Sequence, residues 1–257
     1  MQVQTLVGNA VAGKRRLAVA LVRDGRELEE AQRLRYSVFA VEMGARINGE
    51  RRIDTDRFDS FCEHLVVRNL DTGDIVGTYR ILSPDAARAA GGCYSEQEFD
   101  LARLDHLRGS MAEIGRSCIH PDYRSGGVLM LLWAALIRYA VERGYTHLFG
   151  CASIGLGDGG HCAAATWRQV QAGHLGPLEH RVFPRCRLPL ESLDAGNENN
   201  LSASMPPLVK GYLNFGAQVY GEPAWDPDFN TADLPVMLSL SNMSPKYKRH
   251  FEKNIIN

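Results

Sequence analysis

The sequence predicts a mixed α/β (α+β) domain, with a central twisted mixed sheet and helices on both faces. Two observations carry that expectation. Short strand-like and helical runs alternate along the 257 residues, with no internal repeat or low-complexity tract. In addition, the stretch Glu113-Ile-Gly-Arg-Ser-Cys-Ile-His-Pro-Asp-Tyr-Arg-Ser-Gly-Gly-Val-Leu-Met-Leu-Leu-Trp133 reads as strand, turn and buried helix. Met111 to Ile119 suits an extended chain. His120-Pro121-Asp122 stops it, because proline pushes the preceding residue out of the helical region. Gly126 and Gly127 open an apolar run, Val128 to Ile137, well short of the roughly 20 residues of a membrane span. It therefore reads as a helix packed inside the domain. A strand feeding a glycine-flanked helix start is also where backbone N–H groups meet anionic ligands.

The remaining elements follow in order. Residues 1–16 read as a loose lead-in and Leu17 to Arg23 as a strand. Asp24 suits a helix cap, and Leu28, Ala31, Leu34, Val38 and Phe39 recur at helical spacing behind it. Gly44 to Ser60, rich in Arg and Asp, reads as a long functional loop. His64 to Asn69 and Ile75 to Leu82 form a hairpin about Asp71-Thr-Gly-Asp74. An insertion from Pro84 to Arg108 carries a small helix around Glu96 to Leu101. Beyond the central helix, a strand is expected at Thr146 to Cys151, a helix at Asp158 to Ala172 and a strand at Val182 to Leu190. Asp194 to Ser204 is a polar linker, and Pro206-Pro207 opens a helix through Val219. Leu234 to Leu240 reads as a last strand, and the tail from Ser244 as a short helix. The chain is expected to be one domain, 1–257, with 194–257 as a C-terminal extension packed on the core.

Lys+Arg at 29 against Asp+Glu at 30 argues against a nucleic-acid-coating protein. The six cysteines have no paired-motif spacing, which favours free thiols in a reducing cytoplasm. No signal peptide is apparent, and peripheral contact with the inner membrane stays compatible with the composition. No hydrolase elbow, Walker loop, dinucleotide fingerprint or clustered zinc site occurs, so no metal is expected.

Three charges interrupt strand-like runs: Arg80, Glu113 and Arg116. Buried charges are costly unless paired. In a plain strand Glu113 and Arg116 face opposite sides, so sharing a site requires a bulge, for which Gly115 is a suitable place. On pattern alone, a structural ion-pair network with Asp56 and Asp59 explains these residues as well as an active site does.

Arg35-Tyr-Ser-Val-Phe39, Asp56-Arg-Phe-Asp59, Gly77-Thr-Tyr-Arg-Ile-Leu82 and Glu113-Ile-Gly-Arg116 resemble, in order, the pattern of acyl-homoserine-lactone synthases, members of the GNAT N-acyltransferase superfamily. The C-terminal runs Pro206–Leu213 and Gly221–Pro235 instead resemble ornithine N-acyltransferases of ornithine-lipid synthesis. The resemblance spans about Leu34 to Pro235. It implies a GNAT-like fold and transfer of a 3-hydroxyacyl chain from acyl carrier protein to the α-amine of ornithine. The product would be a lyso-ornithine lipid, and a partner acyltransferase for a second acylation is compatible with this reading.

By the same resemblance, Glu113 is the candidate base, taking a proton directly or through one water. Arg116, Arg80 and Arg35 would hold carboxylates and the loop bearing Asp56 and Asp59, and Phe39 would wall the pocket. Backbone N–H groups near Ser117 and Cys118 would meet the oxyanion. Arg124, Gly126 and Gly127 match part of a pyrophosphate loop, but Leu129 stands where a small residue is usual. That favours a donor presenting phosphopantetheine without a nucleotide, with acyl-carrier thioester as co-substrate and no resident cofactor. Arg124, Arg138, Arg143, Lys246, Lys248 and Arg249 are candidates for a carrier docking patch. Asp226 and Asp228, with Asp233 and Glu222, are candidates for reading a basic side chain, or alternatively are turn residues. Other acceptors (glycine, lysine, glutamine, tyrosine) and a lactone-signal synthase are the alternatives.

Overall fold

The computed structural model describes residues 8–12, 15–47, 51–190 and 205–248. In chain order the elements are β1 (Gly8–Ala12), β2 (Arg15–Leu21), α1 (Gly25–Tyr36), β3 (Glu63–Asn69), β4 (Ile75–Leu82) and α2 (Pro84–Ala89). There follow β5 (Phe99–Asp100), β6 (Met111–Ile119), α3 (Gly127–Glu142), β7 (His147–Gly155), α4 (His161–Gly173) and β8 (Phe183–Pro184). The described chain ends with α5 (Pro207–Phe215), β9 (Gln218–Val219), β10 (Ala224–Asp226) and β11 (Thr231–Ser239). Among the described residues, the main sheet runs β1-β2-β3-β4-β6-β7-β11-β10, with β9 also on β11. All its pairs are antiparallel except β6 with β7.

Local chemistry accounts for the element ends. The Asp24 carboxylate accepts the Glu27 N–H at 2.9 Å, capping α1. One wide π-turn, Ser37–Glu42, continues that helix. α5 stops at Gly216, whose φ of 107° ends it four residues before the expected Val219. α3 packs its Val128, Leu132 and Leu136 against Leu65, Val67, Tyr79 and Ile81 on one sheet face, with α4 and α5 beside it. α1 and α2 cover the opposite face through separate clusters.

Several expectations need correction. The lead-in read as loose contains β1, paired over five residues with β2, because the free edge of β2 offers a ladder that local pattern does not reveal. Val182 to Leu190 yields only the two-residue β8, paired with β5 outside the main sheet. Pro184 and Pro189 lack the N–H a longer strand needs. The small helix at 96–101 is instead a 3₁₀ turn, Tyr94–Gln97, followed by β5. The last strand, expected at Leu234 to Leu240, is β11, which begins earlier, at Thr231, and pairs with β7 over nine residues. The linker 194–204 lies outside the described residues. Among those described, no helix is long and apolar enough to cross a membrane.

Candidate active site

β6 and β7 pair only from Met111–Glu113 to His147–Phe149, at the start of both strands. Beyond that point they separate, and β7 continues on β11 alone. Gly150 sits at the parting. A Cβ there would lie 2.1 Å from the Ile114 carbonyl oxygen, so only glycine permits this approach. The wedge between the strands opens a cavity of about 540 Å³ whose walls include Glu113 to Ile119 and Gly150 to Ser153.

The strand carries the bulge that Glu113 and Arg116 require, one residue beyond Gly115. Thr78 opposes Cys118 and Arg80 opposes Gly115, so Tyr79 faces both Arg116 and Ser117. Arg116 has φ 50°, a conformation unfavourable for a side-chain-bearing residue and held here by its surroundings. A bulge leaves a residue without its ladder partner. It also turns Arg116 onto the face that bears Glu113 and Arg80.

Three arginines and three aspartates then form a charge-balanced network. Arg35 Nε reaches Asp54 Oδ2 at 2.7 Å, and its Nη atoms hold both oxygens of Asp59 at 2.9 and 3.0 Å. Arg80 Nη1 joins Asp56 at 2.7 Å and Asp59 at 3.2 Å, while Arg116 reaches Asp56 and Asp54 at 3.1 Å. Burial works to raise the Asp59 pKa, but Arg35 and then Arg80 outweigh it and hold the carboxyl down to about 2. The Arg116 guanidinium lies 4.8 Å from the Tyr94 ring and 5.0 Å from that of Phe229.

Glu113 is buried and lines the cavity. Its Oε2 accepts the Tyr94 N–H at 2.6 Å, and its Oε1 accepts the Ser95 N–H at 2.7 Å and the Ser95 hydroxyl. Burial raises its pKa, with these donors opposing. Four lone-pair positions against three donors leave one acceptor direction on Oε2.

Of the residues singled out from sequence, Phe39, Arg80, Glu113, Arg116, Ser117, Cys118, Arg124, Gly126 and Asp226 meet in the cavity wall. Arg35, Asp56 and Asp59 do not; they are the anchors behind Arg80 and Arg116. Gly127 begins α3 just outside the wall, and Gly126 caps it with φ 97°. Asp228 is exposed and absent from the wall, its carbonyl taken by the Arg46 N–H, because the Asp226 side chain turns this loop by accepting the 228 and 229 N–H groups. The Cys118 thiol is buried, and burial pushes its pKa up. Arg124 is not free: it grips both oxygens of Glu42. Arg138 and Arg143 pair with Glu142 and Glu63, which weakens the expected basic patch, and Arg249 lies outside the described residues.

Sequence reasoning missed Asp54, Tyr94, Ser95 and Glu98. Asp54 had a visible signal, its place in the Asp-rich loop; the other three sit in an irregular insertion without one.

The cavity continues to the other sheet face. There its walls are Leu129, Trp133, Leu136, Ile137, Leu208, Phe215 and Leu238, with the hydroxyls of Tyr79 and Tyr212 hydrogen-bonded to each other.

The family described as "Acetyltransferase (GNAT) domain" matches residues 34–134. The chain is 36% identical over 248 residues to an L-ornithine N(alpha)-acyltransferase of Agrobacterium fabrum, covering 91% of this chain and 85% of that one. It is 34% identical over 252 residues to the protein of that name from Rhodobacter capsulatus, covering 92% and 95%. Among solved structures, FeeM, an N-acyl amino acid synthase from uncultured soil microbes, aligns with TM-score 0.54 at 14% identity, covering 89% of this chain and 93% of that one. MesI, a CoA-dependent acyl-homoserine lactone synthase, aligns with TM-score 0.51 at 14% identity, covering 93% and 95%. These two likenesses support the fold.

Proposed function

Because this chain belongs to the family of L-ornithine N(alpha)-acyltransferases, we propose that it moves a long-chain 3-hydroxyacyl group from acyl carrier protein to the α-amine of ornithine. The observation that carries the reading is the division of the cavity. One half is apolar and suits a fatty chain; the other is charged and suits an amino acid; the wedge between β6 and β7 joins them. A pantetheine arm entering the wedge brings its thioester beside Glu113 and the bulge.

The reaction joins amine nitrogen to thioester carbon and breaks the carbon–sulfur bond. Acceptor amines arrive as ammonium ions, so a proton must leave before attack. Glu113 takes it through the open direction on Oε2, directly or by way of one water. Backbone N–H groups at Ser117 and Cys118 meet the oxyanion, worth roughly 2.7–4 kcal/mol per donor in related chemistry. The thiolate leaves and is protonated as the amide forms.

Arg80 and Arg116, fixed by their aspartates, set the electrostatics of the amino-acid half. The N-terminal turn of α3, whose Gly126 cap offers no side chain to the backbone N–H groups, suits the pantetheine phosphate. Arg124 is engaged by Glu42 and Leu129 fills the usual small position, which favours a donor without a nucleotide. The acyl carrier protein is then the partner.

Incubation with long-chain 3-hydroxyacyl carrier protein, or the matching coenzyme A thioester, and ornithine tests this by mass spectrometry. N-acylornithine should form, faster from the carrier protein. Product from glycine but none from ornithine would overturn the acceptor assignment, and equal rates from both thioesters the donor assignment.

A further inference from the structure

The ion-pair network leaves one buried acidic group unused. Asp233 on β11 is 4% exposed, lies in the cavity wall, and its Oδ1 meets no hydrogen-bond donor. Behind it, both carboxylate oxygens of Glu98 are buried and equally without a donor. Ligand atoms of Glu98, Asp233 and Cys151 lie within 4.8 Å of one another, and Asp226 stands in the same wall. Burial raises the pKa of both Glu98 and Asp233; the Asp233 charge adds to this at Glu98, and the Asp226 charge adds at both. The Cys151 thiol donates to Ser95 Oγ at 3.4 Å, and Ser95 in turn donates to Glu113, so the group adjoins the reacting centre.

Buried carboxylates without donors are rare in folded proteins and call for an explanation. Every nearby arginine is committed elsewhere: Arg80 and Arg116 hold Asp54, Asp56 and Asp59. No arginine neutralises the pair, whose polar neighbours are only the Thr231 and Ser153 hydroxyls and the Cys151 thiol. What the site lacks is a cation with hydrogen-bond donors. It opens to the cavity on the sheet face where the amino acid is placed, across β7 from the strand that bears Glu113. A primary ammonium supplies charge and three donors in a compact group.

Resting on the acceptor assignment above, we propose that Asp233, backed by Glu98 and flanked by Asp226, is the subsite that takes the side-chain ammonium of the acceptor amino acid. Asp233 makes the contact. Glu98 and Asp226 are positioning residues that deepen the negative potential. An acceptor bridging Glu113 and Asp233 offers its α-amine to the thioester and keeps its terminal ammonium away from it, so the subsite also decides which nitrogen is acylated.

The test uses Asp233→Asn and Glu98→Gln, near-isosteric changes that remove repulsion and should fold at least as well as the parent, as thermal melting checks. Ornithine is compared with norvaline, which has the same three side-chain carbons and no terminal amine. Wild-type turnover of ornithine tests the parent assignment by itself. Given that turnover, Asp233→Asn should raise KM for ornithine at least about thirtyfold, as expected when a buried charge partner is lost. Its kcat should stay within about threefold, and norvaline should be used as well as before or better. Glu98→Gln should show the same split, less strongly. An equal loss with both acceptors, or no change in KM for ornithine, overturns the subsite while leaving the parent assignment standing. Weakened ornithine binding after chelator treatment would likewise overturn it, in favour of a metal on the same three donors.

Discussion

The two halves of the cavity reach the same end, a rigid wall, by opposite physics. On the α3 face, Leu129, Trp133, Leu136 and Phe215 pack as an ordinary core that stops short of closing. On the α1 face the wall is built from charges, with three guanidiniums and three carboxylates holding Arg80 and Arg116 in fixed positions. Apolar packing tolerates adjustment, because dispersion is shared over many weak contacts. A buried ion network does not, since losing one member strands the others. The apolar half should therefore respond to mutation by changing what it accepts, and the charged half by failing.

The sharpest way to break that comparison is Arg35→Ala. Arg35 is fully buried and touches no part of the cavity, yet it holds Asp54 and Asp59. Its removal should cost about 3–5 kcal/mol, read from denaturant unfolding. A loss under about 1 kcal/mol would mean that the network is not what fixes this wall. Next in size is Glu113→Gln, which should lower turnover at least about 10²-fold in a folded protein. Unchanged turnover removes Glu113 from proton transfer and leaves it as the clamp on Tyr94 and Ser95.

A smaller effect is expected in the apolar half. The Gly211 position in α5 faces Trp133, and a Cβ there would lie 2.7 Å from the indole. Gly211→Ala should push the ring into the cavity, costing about 1–3 kcal/mol as overpacking and shifting donor preference to shorter chains. The KM for ornithine should stay put. If chain-length preference is unaltered, the fatty chain lies elsewhere.

The smallest effect is in pH dependence. Burial raises the Glu98 pKa to about 9 and the Asp233 pKa above its ordinary value, so the folded pair binds protons more tightly than the unfolded chain, which releases them above about pH 4. Folded stability is therefore fullest below that value and declines as pH rises toward the elevated folded pKa values. The groups facing the pair are Asp226 and Cys151. Glu98→Gln removes the penalty, so its melting temperature should exceed the parent's by more at pH 8 than at pH 5, by a few degrees. An equal offset at both pH values would show that repulsion is not what burdens this site.

Much of the site was legible in residue order, though its geometry was not. Arg80, Glu113 and Arg116 stood out because charges in strand-like runs need a reason, and all three meet in the wall. The need for a bulge followed from the three-residue spacing, while its place at Arg116–Ser117 depends on how β4 holds β6. Asp228 carried two readings, turn residue and cation site, because its type suits both; only the folded loop puts it outside the wall. Glu98 was invisible, since its significance comes from Asp233, 135 positions away in the chain.

By itself the sequence determined what short-range chemistry controls: the strand–turn–helix unit around Pro121 and Gly126, the Asp24-capped helix, and the family to which the ordered charge motifs point. The tertiary structure alone decided the parting of β6 and β7 at Gly150, the insertion of β11 beside β7, and the meeting of Glu98 with Asp233. Hydrophobic periodicity and capping act over a few residues and leave their mark in local pattern. Strand order and the pairing of buried charges are settled by contacts between residues far apart in the chain, where no local pattern records them.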